Sequence, residues 1–356
     1  MKITIILSLV LTLFFSAFVS AKVHTGVEVD IKAVKGNLNN EQDVLVKVTY
    51  KNRTNQTIKL LKWYLPDVNG NIEDGIFNIT YNGESIDYLG RHYKRPAPEE
   101  VDYFTLRPHK KVSYTVDLTA LYDFYEEGLY QIQLEVDNQA MFGLIKQEES
   151  NGNRPSALKS NKPIEVYVGK GVVAKKPCNP RKEDCGEPPS GGDISFTGGC
   201  SNSEENTLMS AVDAAKAMTN DSVSYLNGSA GERYTTWFGA YSSSRFNKVS
   251  SNFDAIKDAL DNKPKTLDCS CNQRYYAYVY HSQPYKVYVC RAFWSAPMTG
   301  TDSKGGTLVH EMSHFNVVAG TDDHVYGQSG AMSLADSDPN RAIANADNHE
   351  YFAENK

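Results

Sequence analysis

Two histidines and a glutamate near the carboxy terminus form the segment with the clearest chemistry in the sequence. His310, Glu311 and His314 follow the pattern His-Glu-x-x-His. On a helix, residues four apart project from one face, so the two histidines could bind one Zn²⁺ together. Glu311 could then act as general base for a metal-bound water. The surrounding apolar residues predict a buried helix, in which paired histidines without a partner would be costly. The pattern therefore predicts a metal centre that activates water.

A third protein ligand is expected, because a catalytic zinc usually has three and keeps one position for water. The metzincin pattern places a histidine six residues after His314, but that residue is Gly320. Glu350 is a further possibility, although its surroundings suit another role. The turn that follows Gly320 supplies three residues that qualify chemically: Asp322, Asp323 and His324.

Helical patterns dominate the sequence from Ser201 onward and must position this motif. A capping box at residues 201–204 begins an Ala-rich amphipathic stretch that ends near Leu226. Further helices are predicted over residues 233–260, 303–318 and 338–354. Aromatic and β-branched residues at 275–280 and 286–290 favour a small β-hairpin. Residues 197–356 are therefore predicted to form a mainly α (α+β) domain.

The preceding sequence has a different pattern. Residues 22–168 contain short runs of apolar and polar alternation, such as 44–50 and 130–136, separated by turn signals. Several short strands at this spacing predict an all-β, immunoglobulin-like sandwich, and we find no catalytic constellation in it. Residues 169–196 are rich in Lys, Pro and Gly and predict an exposed linker, the kind of segment that proteases cut.

The amino terminus and the cysteines predict an exported protein. Residues 1–21 combine a lysine, an apolar run and small residues before Ala21, which is typical of a cleaved signal peptide and not of a stable membrane anchor. Six cysteines in an oxidising compartment favour disulfides. Cys178 and Cys185 could close a small loop within the linker. Four more allow three pairings: Cys200, Cys269, Cys271 and Cys290.

Composition excludes several classes of protein. The chain has 356 residues, 40% of them hydrophobic and 22% charged, with a net charge of −6 and a mean hydropathy of −0.47. These values exclude a disordered tail and a polytopic membrane protein. A nucleic-acid partner is not expected either, because such proteins carry a concentrated basic excess.

From Cys200 to the carboxy terminus, the sequence resembles the aspzincins, the deuterolysin and peptidyl-Lys metalloendopeptidase family. His-Glu-x-x-His and the later Gly-Thr-x-Asp-x-x-Tyr-Gly at 320–327 carry the resemblance, with further matches at 234–239 and 292–294. It implies a zincin-like metallopeptidase fold, one Zn²⁺ per chain, Glu311 as base and Tyr326 as donor to the transition-state oxyanion. The zinc ligands that it implies are His310, His314 and Asp323. It also implies the disulfides Cys200–Cys269 and Cys271–Cys290.

Two carboxylates, Asp347 and Glu350, lie three residues apart and would share one helix face. On spacing alone, a solvated acidic surface is the ordinary interpretation. The segment resembles the peptidyl-Lys branch, where the matching residues bind the lysine ammonium just after the cleaved bond. This implies hydrolysis of protein substrates on the amino side of Lys. The alternatives are a broad-specificity, deuterolysin-like enzyme and a surface-binding protein with an incidental metal domain.

The resemblance also places residues 22–168 where a propeptide lies, which implies a secreted zymogen with its own inhibitor. The loop Tyr88–Pro96 is basic and aromatic and could cover an acidic pocket, although a plain surface loop is the simpler interpretation. The linker offers lysines at which such an enzyme could release itself: Lys170, Lys175, Lys176 and Lys182.

Overall fold

The computed structural model describes residues 26–38, 43–142, 157–169 and 192–354. The predicted signal peptide lies outside the described residues, as do Cys178, Cys185 and most of the predicted linker. In the described part of the chain, no helix combines the length and the apolar character that a membrane span requires.

Strands dominate the amino-terminal half, as its alternating pattern predicts. The short helix α1 (Asn138–Phe142) follows the longest strand. The strands in chain order are β1 (Val27–Ala33), β2 (Asn37–Leu38), β3 (Leu45–Asn52), β4 (Ile58–Leu61), β5 (Phe77–Tyr81), β6 (Glu84–Ser85), β7 (Arg91–Lys94), β8 (Tyr103–Leu106), β9 (Lys111–Asp117), β10 (Gly128–Asp137), β11 (Ala157–Lys159) and β12 (Ile164–Val168).

Two sheets of this half enclose one apolar core. One has the order β1-β3-β9, and the other has the order β2-β12-β10-β5-β6 with β11 paired to β10. Alternate residues point inward, as the two-residue period of a strand requires. Val46 and Val48 of β3 and Ile132 and Leu134 of β10 are fully buried in that core. The immunoglobulin-like form of this half stays a prediction.

The carboxy-terminal half mixes helices and strands. Its strands are β13 (Ile194–Thr197), β14 (Lys265–Asp268), β15 (Ala277–Tyr280) and β16 (Lys286–Val289). Its helices are α2 (Asn202–Leu226), α3 (Glu232–Phe238), α4 (Ser243–Asn262), α5 (Arg291–Ser295), α6 (Lys304–His314), α7 (Gln328–Ser337), α8 (Pro339–Ala342) and α9 (Ala346–Glu354).

The helices follow the predicted pattern in part: the predicted helix over 303–318 ends at His314, α5 and α7 were not predicted, and two other predicted helices are interrupted. The capping box is present, because Ser201 and Glu204 exchange hydrogen bonds at the start of α2. The predicted helix over 233–260 is two helices, because Gly239 ends α3 with φ +76°. A Cβ at Gly239 would lie 2.2 Å from the Ala335 carbonyl oxygen, so the turn requires glycine. The predicted helix over 338–354 is likewise divided into α8 and α9.

The small β-hairpin predicted in this half is part of a larger sheet. Strands β15 and β16 are antiparallel neighbours within the order β13-β14-β16-β15-β7. The fifth strand, β7, comes from the amino-terminal half and pairs antiparallel with β15, with Lys94 opposite Ala277 and His92 opposite Val279. The prediction missed this sheet because pairing between distant segments leaves no local periodicity in the sequence.

Two disulfides support the sheet of the carboxy-terminal half. Cys200 before α2 is bonded to Cys269 after β14, and Cys271 is bonded to Cys290 after β16. Of the three pairings open to these four cysteines, the structure has the one that the family resemblance implies.

Helix α6 lies in the interior of this half, between α2 and α9. Each of its residues from Lys304 to His314 is buried, including the polar ones. Ser303 caps the helix by accepting a hydrogen bond from Gly306 N at 2.9 Å, and the carboxylate of Glu354 in α9 accepts one from Ser303 Oγ at 2.7 Å. The metal motif therefore lies on a rigid, buried helix.

Candidate metal centre and lysine pocket

The first two candidate ligands, His310 and His314, lie on one face of α6 with ring centroids 4.8 Å apart. Polar contacts beyond the metal site orient both rings: a hydrogen bond for His314 and an ion-pair contact for His310. His314 Nδ1 lies 2.8 Å from the carbonyl oxygen of Thr321, and His310 Nδ1 lies 2.9 Å from Asp347 Oδ1. With Nδ1 engaged in this way, each ring presents Nε2 to a metal, the usual arrangement for a ligand histidine.

The turn after α6 brings Asp323 back beneath the helix. Thr321 is anchored there, because its Oγ1 lies 2.6 Å from Ser313 Oγ. On the other side of the turn, Asp322 N donates to Ala344 O at 2.8 Å, and Ala346 N donates to Asp322 O at 3.0 Å. Of the three residues left open by the sequence, Asp323 is the one whose carboxylate faces both histidines.

The distances among these three side chains suit zinc. Asp323 Oδ1 lies 3.2 Å from His310 Nε2 and 3.5 Å from His314 Nε2. Tetrahedral ligands about 2.0–2.2 Å from a zinc ion are about 3.3–3.6 Å from one another. Within the described residues, none of these three buried atoms has a hydrogen-bond partner. Buried polar atoms are seldom left without a hydrogen-bond partner. A zinc ion bound between these three atoms would satisfy them, so the residues present fit zinc.

The protonation states of His314 and Asp323 agree with ligand roles. Burial alone would lower the pKa of His310, but the surrounding carboxylates raise it well above its ordinary value, so this ring must lose a proton to bind a metal. Burial lowers the pKa of the His314 imidazole to about 4, so this ring is neutral near pH 7 and can bind a metal. Burial alone would raise the pKa of Asp323, but the facing imidazoles of His314 and His310 hold it well below its ordinary value. Asp323 is therefore a carboxylate at neutral pH.

Glu311 is fully buried beside the histidines. Its Oε1 accepts a hydrogen bond from the backbone N–H of Lys94 at 3.2 Å. Burial raises the pKa of Glu311 well above its ordinary value, and a raised pKa suits a group that must first accept a proton and later donate it.

The predicted lysine pocket is buried and holds a lysine of the same chain. Asp347 and Glu350 project from one face of α9, and neither is exposed to solvent. Lys94 Nζ lies 3.1 Å from Asp347 Oδ1 and 2.9 Å from Glu350 Oε2. Burial alone would lower the pKa of Lys94, but Asp347 and Glu350 raise it well above its ordinary value, so the side chain is a buried ammonium.

Comparisons with known proteins identify the family of this chain. The aspzincin family model, described as lysine-specific metallo-endopeptidase, matches residues 224–354. An extracellular protease of Aeromonas hydrophila is 42% identical over 333 residues, 93% of this chain and 92% of that protein. This chain belongs to the aspzincin family. A peptidyl-Lys metalloendopeptidase of Grifola frondosa is 36% identical over 335 residues, 87% of each chain. Another of that name, from Pleurotus ostreatus, is 51% identical over 160 residues, 44% of this chain and 95% of that protein.

Membership of the aspzincin family makes the chain a metalloendopeptidase with a metal cofactor and a zincin-like carboxy-terminal domain. The family resemblance inferred from the sequence is therefore confirmed.

Tyr326, the predicted oxyanion donor of the aspzincin site, is engaged by the amino-terminal half. Its hydroxyl accepts a hydrogen bond from Arg95 Nη1 at 2.7 Å, and its ring packs edge-on against Trp63 with centroids 5.4 Å apart. Arg95 is itself buried, and it donates to Asp74 at 3.1 Å and to the carbonyl oxygen of Glu73 at 3.1 Å.

Two residues of the aspzincin pocket were missed by the reasoning from sequence. Lys94 Nζ also lies 3.0 Å from Asp302 Oδ1 and donates to the Tyr351 hydroxyl at 3.3 Å. Tyr351 could have been found, because it lies four residues after Asp347 on the same helix. Asp302 precedes the cap of α6, and no periodic pattern connects it with α9.

Proposed function

We propose that this chain is a secreted zymogen whose mature enzyme binds one zinc ion and hydrolyses peptide bonds on the amino side of lysine. The position of Lys94 carries the proposal. Its ammonium lies among the carboxylates of the pocket while its backbone nitrogen is 3.2 Å from Glu311 Oε1. A base next to the backbone nitrogen of the residue in the pocket supports cleavage of the bond just before that residue.

The chemistry assigns a separate task to each group. Zinc bound by His310, His314 and Asp323 would supply a Lewis acid that acidifies water and polarises the scissile carbonyl. Glu311 takes the proton of the attacking water and passes it to the lysine nitrogen as the C–N bond breaks. Tyr326, once released from Arg95, donates a hydrogen bond to the carbonyl oxygen as negative charge develops on it.

The pocket favours lysine over arginine. Its acidic groups surround one point, which suits the compact ammonium of lysine, whereas the planar guanidinium of arginine needs partners arranged along a fork. Two of the relatives are named peptidyl-Lys metalloendopeptidases, which supports the same specificity here.

The amino-terminal half is the inhibitor in this proposal. Strand β7 lies along the edge of β15, Lys94 occupies the lysine pocket, and Arg95 engages the Tyr326 hydroxyl. A substrate that needs the same pocket is excluded while β7 is in place. Release would require a cut in the linker, whose lysines lie outside the described residues: Lys170, Lys175, Lys176 and Lys182.

Export is supported by the disulfides, because these persist in oxidising compartments. The relative from Aeromonas hydrophila is named an extracellular protease. Together with the predicted signal peptide, these observations support secretion.

Cleavage-site mapping on a mixture of natural peptides, with and without a chelator, tests the proposed activity. We expect lysine directly after the cut in most products, loss of cleavage with the chelator and recovery with added zinc. Cuts without lysine enrichment would favour a broad-specificity, deuterolysin-like enzyme.

Secretion of the Glu311→Ala variant from a host without other proteases tests self-release. It should accumulate at precursor length less the signal peptide, whereas the parent protein should lose its amino-terminal half. Processing of the variant at the same linker lysine would show that another protease releases the enzyme. Retention of the β-rich half by the secreted parent protein would favour the surface-binding alternative.

A further inference from the structure

His92 lies on β7, two residues before Lys94, and its side chain therefore points to the same side of the strand. It is only 6% exposed. In the described part of the chain, its Nε2 has no hydrogen-bond partner. A buried imidazole nitrogen without a hydrogen-bond partner, at the edge of a metal centre, requires an explanation.

The surroundings of His92 contain two of the proposed zinc ligands. Its ring centroid lies 4.9 Å from that of His314. One ligand atom each from His92, His314 and Asp323 lies within 4.8 Å of the others, and all three residues are buried. A catalytic zinc site with three protein ligands has one remaining position, which water normally occupies.

We propose that His92 is a fourth protein ligand of the zinc ion in the uncleaved chain and takes the position of the water. The inference rests on the proposed function, because it requires zinc on His310, His314 and Asp323. The pocket alone does not explain how the Tyr93–Lys94 bond is protected from hydrolysis, because Lys94 lies as a substrate lysine would, with its backbone nitrogen at Glu311. An imidazole in the water position would protect this bond.

The competing explanation is that His92 only packs. Its ring lies edge-on to His281 with centroids 3.7 Å apart, and to Tyr88 with centroids 5.8 Å apart. A ring that only packs would leave zinc coordination and zinc affinity unchanged when another side chain of similar size replaces it.

X-ray absorption at the zinc edge distinguishes the two explanations. The comparison uses the full-length Glu311→Gln protein, which should not process itself, with and without the added substitution His92→Gln. His109→Gln is the matched control, since His109 is exposed and belongs to the same half. We expect three imidazole ligands in the parent and in the control and two after His92→Gln. Zinc affinity, measured by chelator competition, should fall at least about tenfold with His92→Gln alone.

His92→Phe, which keeps a ring in the site, gives a second comparison if His92→Gln folds poorly. Two imidazoles in every protein, with equal zinc affinities, would overturn the role of His92 and leave the proposed enzyme intact. A failure of every full-length protein to bind zinc would instead overturn the proposed metal centre, and the His92 inference with it.

Discussion

The metal centre and the lysine pocket are neighbours, and they differ in how their charges are balanced. His310 joins them, with Nε2 facing Asp323 and Nδ1 facing Asp347 and Glu350. In the pocket, the carboxylates surround the ammonium of Lys94. In the metal centre, the facing nitrogen and oxygen atoms have no hydrogen-bond partner within the described residues.

Both clusters need a cation, because burying an unpaired carboxylate is costly. The pocket obtains its cation from the amino-terminal half of the same chain, whereas the proposed cation of the metal centre is a zinc ion from solution. Perturbing the pocket should therefore change how the two halves hold together and which substrates bind. Perturbing the metal centre should change metal binding and the rate of the reaction.

The largest effect is expected from Glu311→Gln, which keeps the shape of the side chain and removes the base. After an added protease has cut the linker of both proteins, activity of the variant should be about 10³-fold to 10⁴-fold below that of the parent, while its zinc content stays that of the parent. Peptide hydrolysis and elemental analysis of the same preparation measure the two quantities. A loss of zinc in step with activity would place Glu311 among the ligands instead.

Lys94→Ala removes the cation of the pocket and leaves the pocket carboxylates buried without it. In the full-length Glu311→Gln protein, the free energy of unfolding should fall by about 3–5 kcal/mol, the usual result of breaking one side of a buried ion pair. Denaturant unfolding measures this change. Lys59→Ala is the control, because Lys59 pairs with Glu100 on the surface, where such pairs contribute little. Equal changes for the two variants would contradict the importance of the buried pair.

Asp323→Asn should weaken zinc binding by about 100-fold or more, since it alters a proposed ligand and even residues beyond the ligands change affinity by about 10–100-fold. Asp322→Asn, the neighbour in the same turn, should change zinc affinity far less. Chelator competition with both purified variants makes this comparison. Similar losses for the two variants would remove the assignment of Asp323 as the third ligand.

Glu350→Gln should relax specificity without disabling the metal centre. We expect the ratio of kcat/KM for lysine over methionine peptides to fall by about tenfold to 100-fold, because one charge of the pocket is lost. Glu100→Gln, on the surface of the amino-terminal half, should leave the ratio for the processed enzyme unchanged. A uniform fall of kcat/KM on both peptides would show that Glu350 acts on the metal centre and not on recognition.

The smallest effect concerns pH. The pKa of Lys94 is raised above its ordinary value of 10.5 by Asp347 and Glu350, against the effect of burial. Its stabilising contribution is therefore fully present below pH 10.5 and is lost only as the pH rises through the higher folded-state value. The stability difference between the Glu311→Gln protein and its Lys94→Ala variant should stay constant from about pH 8 to 10 and shrink above that. A difference that already declines at pH 8 would contradict a buried ammonium.

Much of the metal centre could be predicted from the sequence because its signals are local. His310, Glu311 and His314 lie within one turn of a single helix, and helical geometry brings them to one face. Asp347 and Glu350 share a face for the same reason. Part of the helical structure was also predictable, because amphipathic periodicity and caps are properties of neighbouring residues. The breaks at Gly239 and before α9, the end of α6 at His314 and the short helices α5 and α7 were not predicted.

The sequence by itself determined which residue types could perform the chemistry and which elements carry them. Only the tertiary structure decided among Asp322, Asp323 and His324, because that choice depends on how the turn after α6 is anchored to Ser313 and Ala344. It also brought Asp302 into the pocket and placed β7 of one half on β15 of the other. The physical reason is the same in each case. These contacts join residues from 8 to 208 positions apart, and the packing of buried elements sets their distances. Periodicity describes only residues within one helix or strand.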